Sequence, residues 1–172
     1  GPTTLVGDVG VFPGTVITGT FTTTGTIHVA DPVAEKAQID LTTAFNALAG
    51  MTPFIDLTGT ELGGLVLTPG IYHFNSSAGL TGTLTLDPQG DPHALFVFQI
   101  GSTLTTAAGV GASVVVLGGS DDNIFWQVGS SATIGVGTAF VGNILAQASI
   151  TLDTGATLAS GRALARTGAV TM

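Results

Sequence analysis

One stretch of the chain has apolar side chains at the spacing of a helix. Over residues 32–49 they recur every three or four positions and form a single stripe. The stripe consists of Val33, Ala37, Leu41, Ala44, Phe45 and Leu48. Asp31 is a suitable N-cap, Pro32 suits the first helical position, and Gly50 is a natural C-terminal stop. The pattern therefore predicts one amphipathic helix over about residues 32–49, whose apolar stripe lies against a flat apolar surface.

The rest of the chain consists of short segments rich in Val, Ile, Thr and Phe, separated by Gly, Asn, Asp and Ser. Such segments predict strands and turns. From residue 94 onward the segments repeat, and the polar residues at the same place in each repeat are Gln99, Gln127, Gln147 and Arg166. The last two intervals are 20 residues (127 to 147) and 19 residues (147 to 166). This period suits one coil of a β-solenoid, which has three short strands and three corners; an ordinary β-sandwich is the alternative.

Length and composition exclude several classes of protein. The 172 residues suit a single domain that spans residues 1–172. Only 8% of residues are charged and 44% are hydrophobic, which argues against a disordered chain or a coiled coil. Three basic residues and a net charge of −8 argue against binding to nucleic acid or to an anionic membrane surface. No apolar run of about 18 residues occurs, so no membrane span is expected.

Signals for catalysis are weak. The sequence has no cysteine, and its three histidines, His28, His73 and His93, are far apart and belong to no known catalytic motif. Asp121 and Asp122 resemble the acid and base of a polysaccharide-cleaving β-helix, but their Gly- and Ser-rich surroundings are typical of a solvated loop. We therefore expect no enzyme and no catalytic residue.

Two further features have both a functional and a structural interpretation. The carboxylates of Asp87 and Asp91 could hold Ca²⁺, but their spacing matches no EF-hand loop and favours a turn. Trp126 would stack on a carbohydrate if it pointed outward, but its apolar strand favours a place in the core. We expect no metal and no cofactor.

Several spaced segments carry a family resemblance that covers nearly the whole chain in the same order. They are Gly7–Val11, Gly63–Tyr72, Ile124–Val128, Gly142–Ala146 and Gly161–Ala165. Together they resemble the ice-binding-protein family of secreted microbial β-solenoids. The resemblance implies a mainly β fold, a right-handed parallel β-helix of triangular section with one long α-helix packed alongside. It also implies a secreted or cell-surface protein whose partner is the surface of an ice crystal.

Members of that family that bind ice often carry a Thr-Ala/Gly-x-Thr/Asn motif on successive coils. When the repeats are aligned, the candidate column comprises residues 106–109, 136–139 and 154–157, and only the last satisfies the motif in full. The predicted ice-binding residues are Thr154 and Thr157 first, then Thr138 and Thr106. Alternating threonines at residues 18–26 could supply another outward row. The structural alternative is that threonine simply suits the surface of strands.

Three functions remain open at this point. The resemblance favours an extracellular, cofactor-free protein that adsorbs to ice and inhibits its growth or recrystallisation. The alternative is a structural module whose open solenoid ends stack into fibres or act in adhesion. Relatives commonly have a further strand segment before the region matching Gly1 and a few residues after the region matching Met172, and this sequence contains neither. The solenoid is then expected to end in unpaired strand edges, which can pair with another chain. A carbohydrate-binding or lytic β-helix is the weakest of the three.

Overall fold

The computed structural model describes residues 3–109, 111–118 and 123–172. The predicted carboxylate pair, Asp121 and Asp122, therefore lies outside the described residues. A single domain is expected from the sequence, and the contacts of the chain group into two compact units, Gly1–Ala44 and Phe45–Met172. Each unit is described by itself.

The first unit contains two short parallel strand pairs and most of a helix. Its elements are β1 (Thr3–Leu5), β2 (Val9–Val11), β3 (Phe21–Thr23), β4 (Ile27–Val29) and the start of α1 (Pro32–Ala49). β1 pairs with β3, and β2 pairs with β4. The bounds of α1 confirm the predicted helix. The predicted stripe is only partly correct, because Leu41 is buried, whereas Val33, Ala37 and Ala44 are exposed and the buried Ala34 lies outside it.

The helix begins at the predicted cap. The backbone N–H of Ala34 donates to Asp31 Oδ1 at 2.8 Å, and His28 Nδ1 lies 2.7 Å from Asp31 Oδ2. Both hydrogen bonds lower the pKa of Asp31 below its ordinary value, and the bond from the Ala34 backbone has the larger effect. The N-cap prediction is therefore confirmed.

The second unit consists of three parallel sheets. Sheet 1 contains β5 (Ile55–Asp56), β7 (Gly70–Phe74), β10 (Phe96–Ile100), β13 (Ile124–Val128), β16 (Asn143–Ala146) and β19 (Ala163–Ala165). Sheet 2 contains β8 (Ala78–Leu80), β11 (Leu104–Thr106), β14 (Ala132–Ile134), β17 (Ile150–Leu152) and β20 (Val170–Thr171). Sheet 3 contains β6 (Val66–Leu67), β9 (Thr83–Leu86), β12 (Ser113–Val116), β15 (Ala139–Val141) and β18 (Thr157–Ala159).

From β7 onward the chain visits sheet 1, sheet 2 and sheet 3 in turn and then starts again. Each strand pairs in parallel with the strand one coil away, for example Phe98 with Trp126 and Thr133 with Thr151. Three strands per coil and parallel pairing between coils define a β-solenoid. The predicted fold class is confirmed.

Aromatic side chains stack along the interior of this solenoid. The ring centroids of Tyr72 and Phe98 are 5.5 Å apart, and those of Phe98 and Trp126 are 3.9 Å apart with the planes within 8°. Trp126 is fully buried, and its Nε1 donates to the carbonyl of Val141 at 3.0 Å. The interpretation of Trp126 as a core residue is therefore correct, and the carbohydrate-stacking alternative is wrong.

Two glycines of the repeat lie where the chain leaves sheet 1. A Cβ atom on Gly129 would lie 2.5 Å from the carbonyl oxygen of Gly101, and one on Gly101 would lie 2.7 Å from that of Asn75. Both distances are far below van der Waals contact, and the backbone on either side of Gly101 has little freedom to move because the carbonyls of Ile100 and Ser102 accept the N–H groups of Gly129 and Ser130. The recurrence of glycine at this position in the sequence follows from the close approach of successive coils.

Gly129→Ala is expected to lower the free energy of unfolding by about 1–3 kcal/mol, because the added methyl group pushes two coils apart. Denaturant unfolding followed by circular dichroism measures the change. Gly70→Ala is the matched control, since a Cβ there would meet its nearest neighbour, Tyr72, at an ordinary 3.7 Å. Equal stability of the two variants would contradict the argument from coil spacing.

Candidate ice-binding surface

The middle of the outer surface of sheet 1 is not available to a ligand. Its outward residues Val97, Gln99 and Leu145 are all at most 3% exposed. Gln99 Nε2 donates to the carbonyls of Leu48 and Met51 at 2.7 and 2.9 Å, so the sheet is bonded to the C-terminal end of α1. The outward side chains of sheets 2 and 3, in contrast, are exposed or half-buried.

Thr157 belongs to a column of small outward residues on sheet 3. It is in register with Ala139, which is in register with Ser113, which is in register with Thr83. The hydroxyls of Thr83 and Ser113 are hydrogen-bonded at 2.9 Å. The parallel ladder thus places one small side chain of this column on each coil.

Thr154 lies at the corner between sheets 2 and 3. The N–H of Gly137 donates to the carbonyl of Thr154 at 3.1 Å, and the N–H of Gly109 donates to that of Val136 at 3.3 Å. These bonds place Ala108, Val136 and Thr154 beside one another on successive coils, and all three are exposed. Thr154 and Thr157 are thus both exposed and lie three residues apart on one coil.

We call this surface the sheet 3 face. It consists of the corner residues Ala108, Val136 and Thr154, the first column Thr83, Ser113, Ala139 and Thr157, and the second column Val66, Thr85, Val115, Val141 and Ala159. None of these residues is charged; the first column is mostly hydroxyl-bearing, and the second column is apolar except for Thr85. Neighbouring coils are about 4.8 Å apart and alternate residues of a strand about 6.6 Å apart, so the side chains form a two-dimensional grid.

Two of the four predicted ice-binding residues do not reach the surface. Thr106 is 2% exposed and Thr138 is 0% exposed, and their Oγ1 atoms are hydrogen-bonded to each other at 2.8 Å inside the solenoid. Thr106 follows the outward Thr105, and successive residues of a strand point to opposite faces. The prediction that the hydroxyls of Thr106 and Thr138 contact ice is therefore wrong.

Sheet 2 carries a regular row of threonines that the predicted site does not include. Thr105, Thr133, Thr151 and Thr171 are in register on four successive coils, and Gly79 continues the row. The signal in the sequence is a threonine inside each short apolar segment of this sheet, as in Ala132–Ile134 and Ile150–Leu152. Beside the row, Thr103 Oγ1 donates to Ser77 Oγ at 2.8 Å.

The early threonines do not form the outward row that their alternation predicts. Thr18 and Thr20 lie outside any strand, and Thr22 pairs with Thr4 in the short β1–β3 ladder. Thr24 Oγ1 accepts a hydrogen bond from the N–H of Gly7 at 3.0 Å and so serves the local backbone. This region therefore contributes no repeated array.

The remaining candidates have structural partners. Asp87 and Asp91 accept the backbone N–H groups of Gln89 and His93, both at 2.8 Å, as expected for turns. In the part of the chain that the structure describes, no three metal-ligating side chains lie together, and no helix is long and apolar enough to cross a membrane. His73 Nδ1 lies 3.1 Å from Gln99 Oε1 and so belongs to the bonded network beside α1.

The whole of residues 1–172 matches the ice-binding-like family. The chain belongs to this family. It is 57% identical over 174 residues to an ice-binding protein of Nostoc sp. (strain HG1), an alignment that covers 100% of the chain and 64% of that relative. It is 38% identical to ice-binding protein 1 of Shewanella frigidimarina over 80% of the chain and 16% of that relative. The chain thus spans less than two thirds of the length of these two ice-binding proteins.

Solved structures of ice-binding proteins have the same fold. An ice-binding protein from an Antarctic biological consortium superposes with a TM-score of 0.91 at 45% identity, covering 99% of this chain and 82% of that one. The ice-binding protein of the ascomycete Antarctomyces psychrotrophicus superposes with a TM-score of 0.88 at 35% identity, covering 99% of this chain and 88% of that one. Membership of the ice-binding-like family agrees with the expectation that the chain is not an enzyme, and gives no support to a fibre-forming or adhesive module. Self-association stays a prediction.

Proposed function

We propose that this chain binds ice through the sheet 3 face and thereby inhibits the growth and recrystallisation of ice. The observation that carries the proposal is the uncharged grid of methyl and hydroxyl groups that includes Thr154 and Thr157, on a chain whose relatives are ice-binding proteins. The mechanism is adsorption and needs neither a cofactor nor a metal. Because ice crystals grow outside cells, we place the protein in the extracellular space or on the cell surface.

The physical basis is the rigidity of the grid. A single threonine gains little by contacting ordered water, since each hydroxyl exchanges one hydrogen bond with water for another. Many such contacts act together only if the side chains hold their spacing without further loss of conformational freedom. Parallel pairing across Ser113, Ala139 and Thr157 fixes that spacing, and the β-branched side chain of threonine restricts χ1.

Exposed apolar groups favour sheet 3 over sheet 2. Val66 is 63% exposed, Val136 43% and Val115 40%, so this face keeps methyl groups in contact with water. Such groups order the neighbouring water, and their removal from liquid water is favourable. The row on sheet 2, in contrast, has a threonine hydroxyl on each of four successive coils and includes no exposed large apolar side chain.

The double variant Thr154→Tyr with Thr157→Tyr tests the proposal. Two large rings on the sheet 3 face break its flatness, and both sites are exposed, so the fold is retained. We expect loss of thermal hysteresis and of ice-crystal shaping, with an unchanged circular dichroism spectrum. The matched control is Thr133→Tyr with Thr151→Tyr, which places the same rings on sheet 2.

The pair of variants distinguishes the two faces. Faceted crystals with the control and round crystals with the Thr154 and Thr157 variant support the sheet 3 face. The reverse pattern would place the contact on sheet 2. Full activity of both variants, or inactive wild-type protein, would overturn the proposed site.

A further inference from the structure

The buried hydroxyl pair beneath the corner of the sheet 3 face has a structural role that the neighbouring coils lack. Thr106 Oγ1 is bonded to Thr138 Oγ1 at 2.8 Å, and it also accepts the backbone N–H of Gly135 at 2.8 Å. Both threonines are almost completely buried. The pair therefore connects the end of β11 to the corner segment 135–138 of the next coil.

The Thr106 hydroxyl takes the place of a backbone carbonyl in the ladder. At the equivalent step of the neighbouring coils, the N–H of Ala107 donates to the carbonyl of Leu80, and that of Asp153 donates to the carbonyl of Ile134. The N–H of Gly135 instead donates to the side chain of Thr106. The backbone of the corner at Gly135 is thus held by a side-chain hydroxyl.

Thr138 occupies a position where the adjacent coils have alanine. Backbone bonds from Ala139 to Ala112 and from Thr157 to Thr138 place Ala112, Thr138 and Ala156 in one column. On the coils before and after, an alanine is therefore large enough to fill this position. The hydroxyl of Thr138 is the group that distinguishes this coil, and its partner is Thr106.

The same corner segment holds the backbone of both predicted contact residues. Its Gly137 N–H donates to the carbonyl of Thr154 at 3.1 Å, and its Thr138 carbonyl accepts the N–H of Thr157 at 2.9 Å. A displacement of residues 135–138 therefore displaces Val136 directly and Thr154 and Thr157 through these bonds.

We propose that Thr106 and Thr138 are positioning residues for ice binding: their hydroxyl pair holds the corner segment 135–138 at the height that aligns Val136 with Thr154 and Ala139 with Thr157. The inference rests on the proposed function of the sheet 3 face. It gives the two buried threonines an indirect role in place of the direct contact that the sequence predicts.

Thr106→Val tests the proposal because it keeps the shape of the side chain and removes the hydroxyl. We expect thermal hysteresis to fall several-fold, while circular dichroism near 0 °C shows a folded protein. Hydrogen exchange at the Gly135 amide, which loses its acceptor, is expected to become faster. Thr106→Ser restores the hydroxyl and is expected to restore most of the hysteresis, and Thr138→Ala is expected to reproduce the loss.

Two controls separate positioning from stability. Thr103→Val removes one partner of a surface hydroxyl pair on sheet 2 and should leave hysteresis unchanged. Ile150→Val shortens a fully buried side chain and lowers stability without touching the corner. Wild-type hysteresis in Thr106→Val, or an equal loss in Ile150→Val, would overturn the positioning role.

The outcome is independent of the test of the face itself. If the Thr154 and Thr157 tyrosine variant keeps its activity, the proposed face is wrong. If that variant is inactive while Thr106→Val remains fully active, the face stands and only the positioning role is wrong.

Discussion

Replacing Trp126 by alanine is expected to lower the free energy of unfolding by about 3–5 kcal/mol, the range for large aromatic side chains removed from a core. The Trp126 ring lies between Phe98, at 3.9 Å between centroids, and Phe140, at 4.8 Å. Alanine leaves a cavity among these rings and removes the indole N–H that donates to the carbonyl of Val141. The damage reaches two adjacent coils, because Phe98 and Trp126 are paired residues of sheet 1.

Denaturant unfolding followed by circular dichroism measures this effect, since the variant lacks the one tryptophan of the chain. Trp126→Phe keeps a stacked ring and loses only the indole hydrogen bond and some volume, so it is expected to be less destabilising than alanine. Ile39→Ala, at a side chain that is 61% exposed, is the surface control and is expected to change stability by less than about 0.5 kcal/mol. A Trp126→Ala variant as stable as this control would contradict the role of the aromatic stack.

The elements that the sequence predicts well are those with local signals. The helix has a cap at Asp31 and a stop at Gly50, and its bounds are confirmed, although only part of its predicted apolar stripe is buried. The coil repeat is readable because parallel ladders require similar side chains in register, such as Gln99 and Gln127 on adjacent strands. Each of these signals depends on residues within one coil or on its direct repetition.

The candidate site is less predictable because it depends on the direction of side chains at corners. The corner after β11 is longer than the corners after β14 and β17, so the motif alignment places the inward Thr106 in the column of the outward Thr154. Thr138 is aligned correctly with Ala156, but this position of the motif faces the interior. A shift of one residue in a strand moves every side chain to the other face. The row on sheet 2 is difficult to predict for a similar reason, because its outward threonines alternate with buried residues and a one-residue error in register exchanges the two.

The interior and the surface of the solenoid are therefore linked. The grid on sheet 3 keeps its spacing only as well as the coils beneath it keep theirs, and that spacing depends on close contacts such as the one between Gly129 and Gly101. A rigid core is a condition for binding a crystal, because ice offers a fixed lattice to which the protein must conform. For this reason, changes in the core and at the corners affect function as well as stability.

Completing the motif on a second coil is expected to increase ice binding. Ala139 is in register with Thr157, and Val136 lies beside Thr154 at the corner. Val136→Thr with Ala139→Thr would place four threonines on adjacent coils, about 4.8 Å apart. Both sites are exposed, and threonine suits the strand and replaces valine at similar size, so the fold is retained.

We expect thermal hysteresis to rise several-fold at equal protein concentration, because two anchored rows restrict the orientation of the adsorbed molecule more than one row does. Ser131→Thr with Ser149→Thr is the matched control, since it adds threonine methyl groups to sheet 2 at comparable spacing. An increase with the control alone would move the contact surface to sheet 2, and no increase with either variant would show that adding threonine to the face does not raise activity.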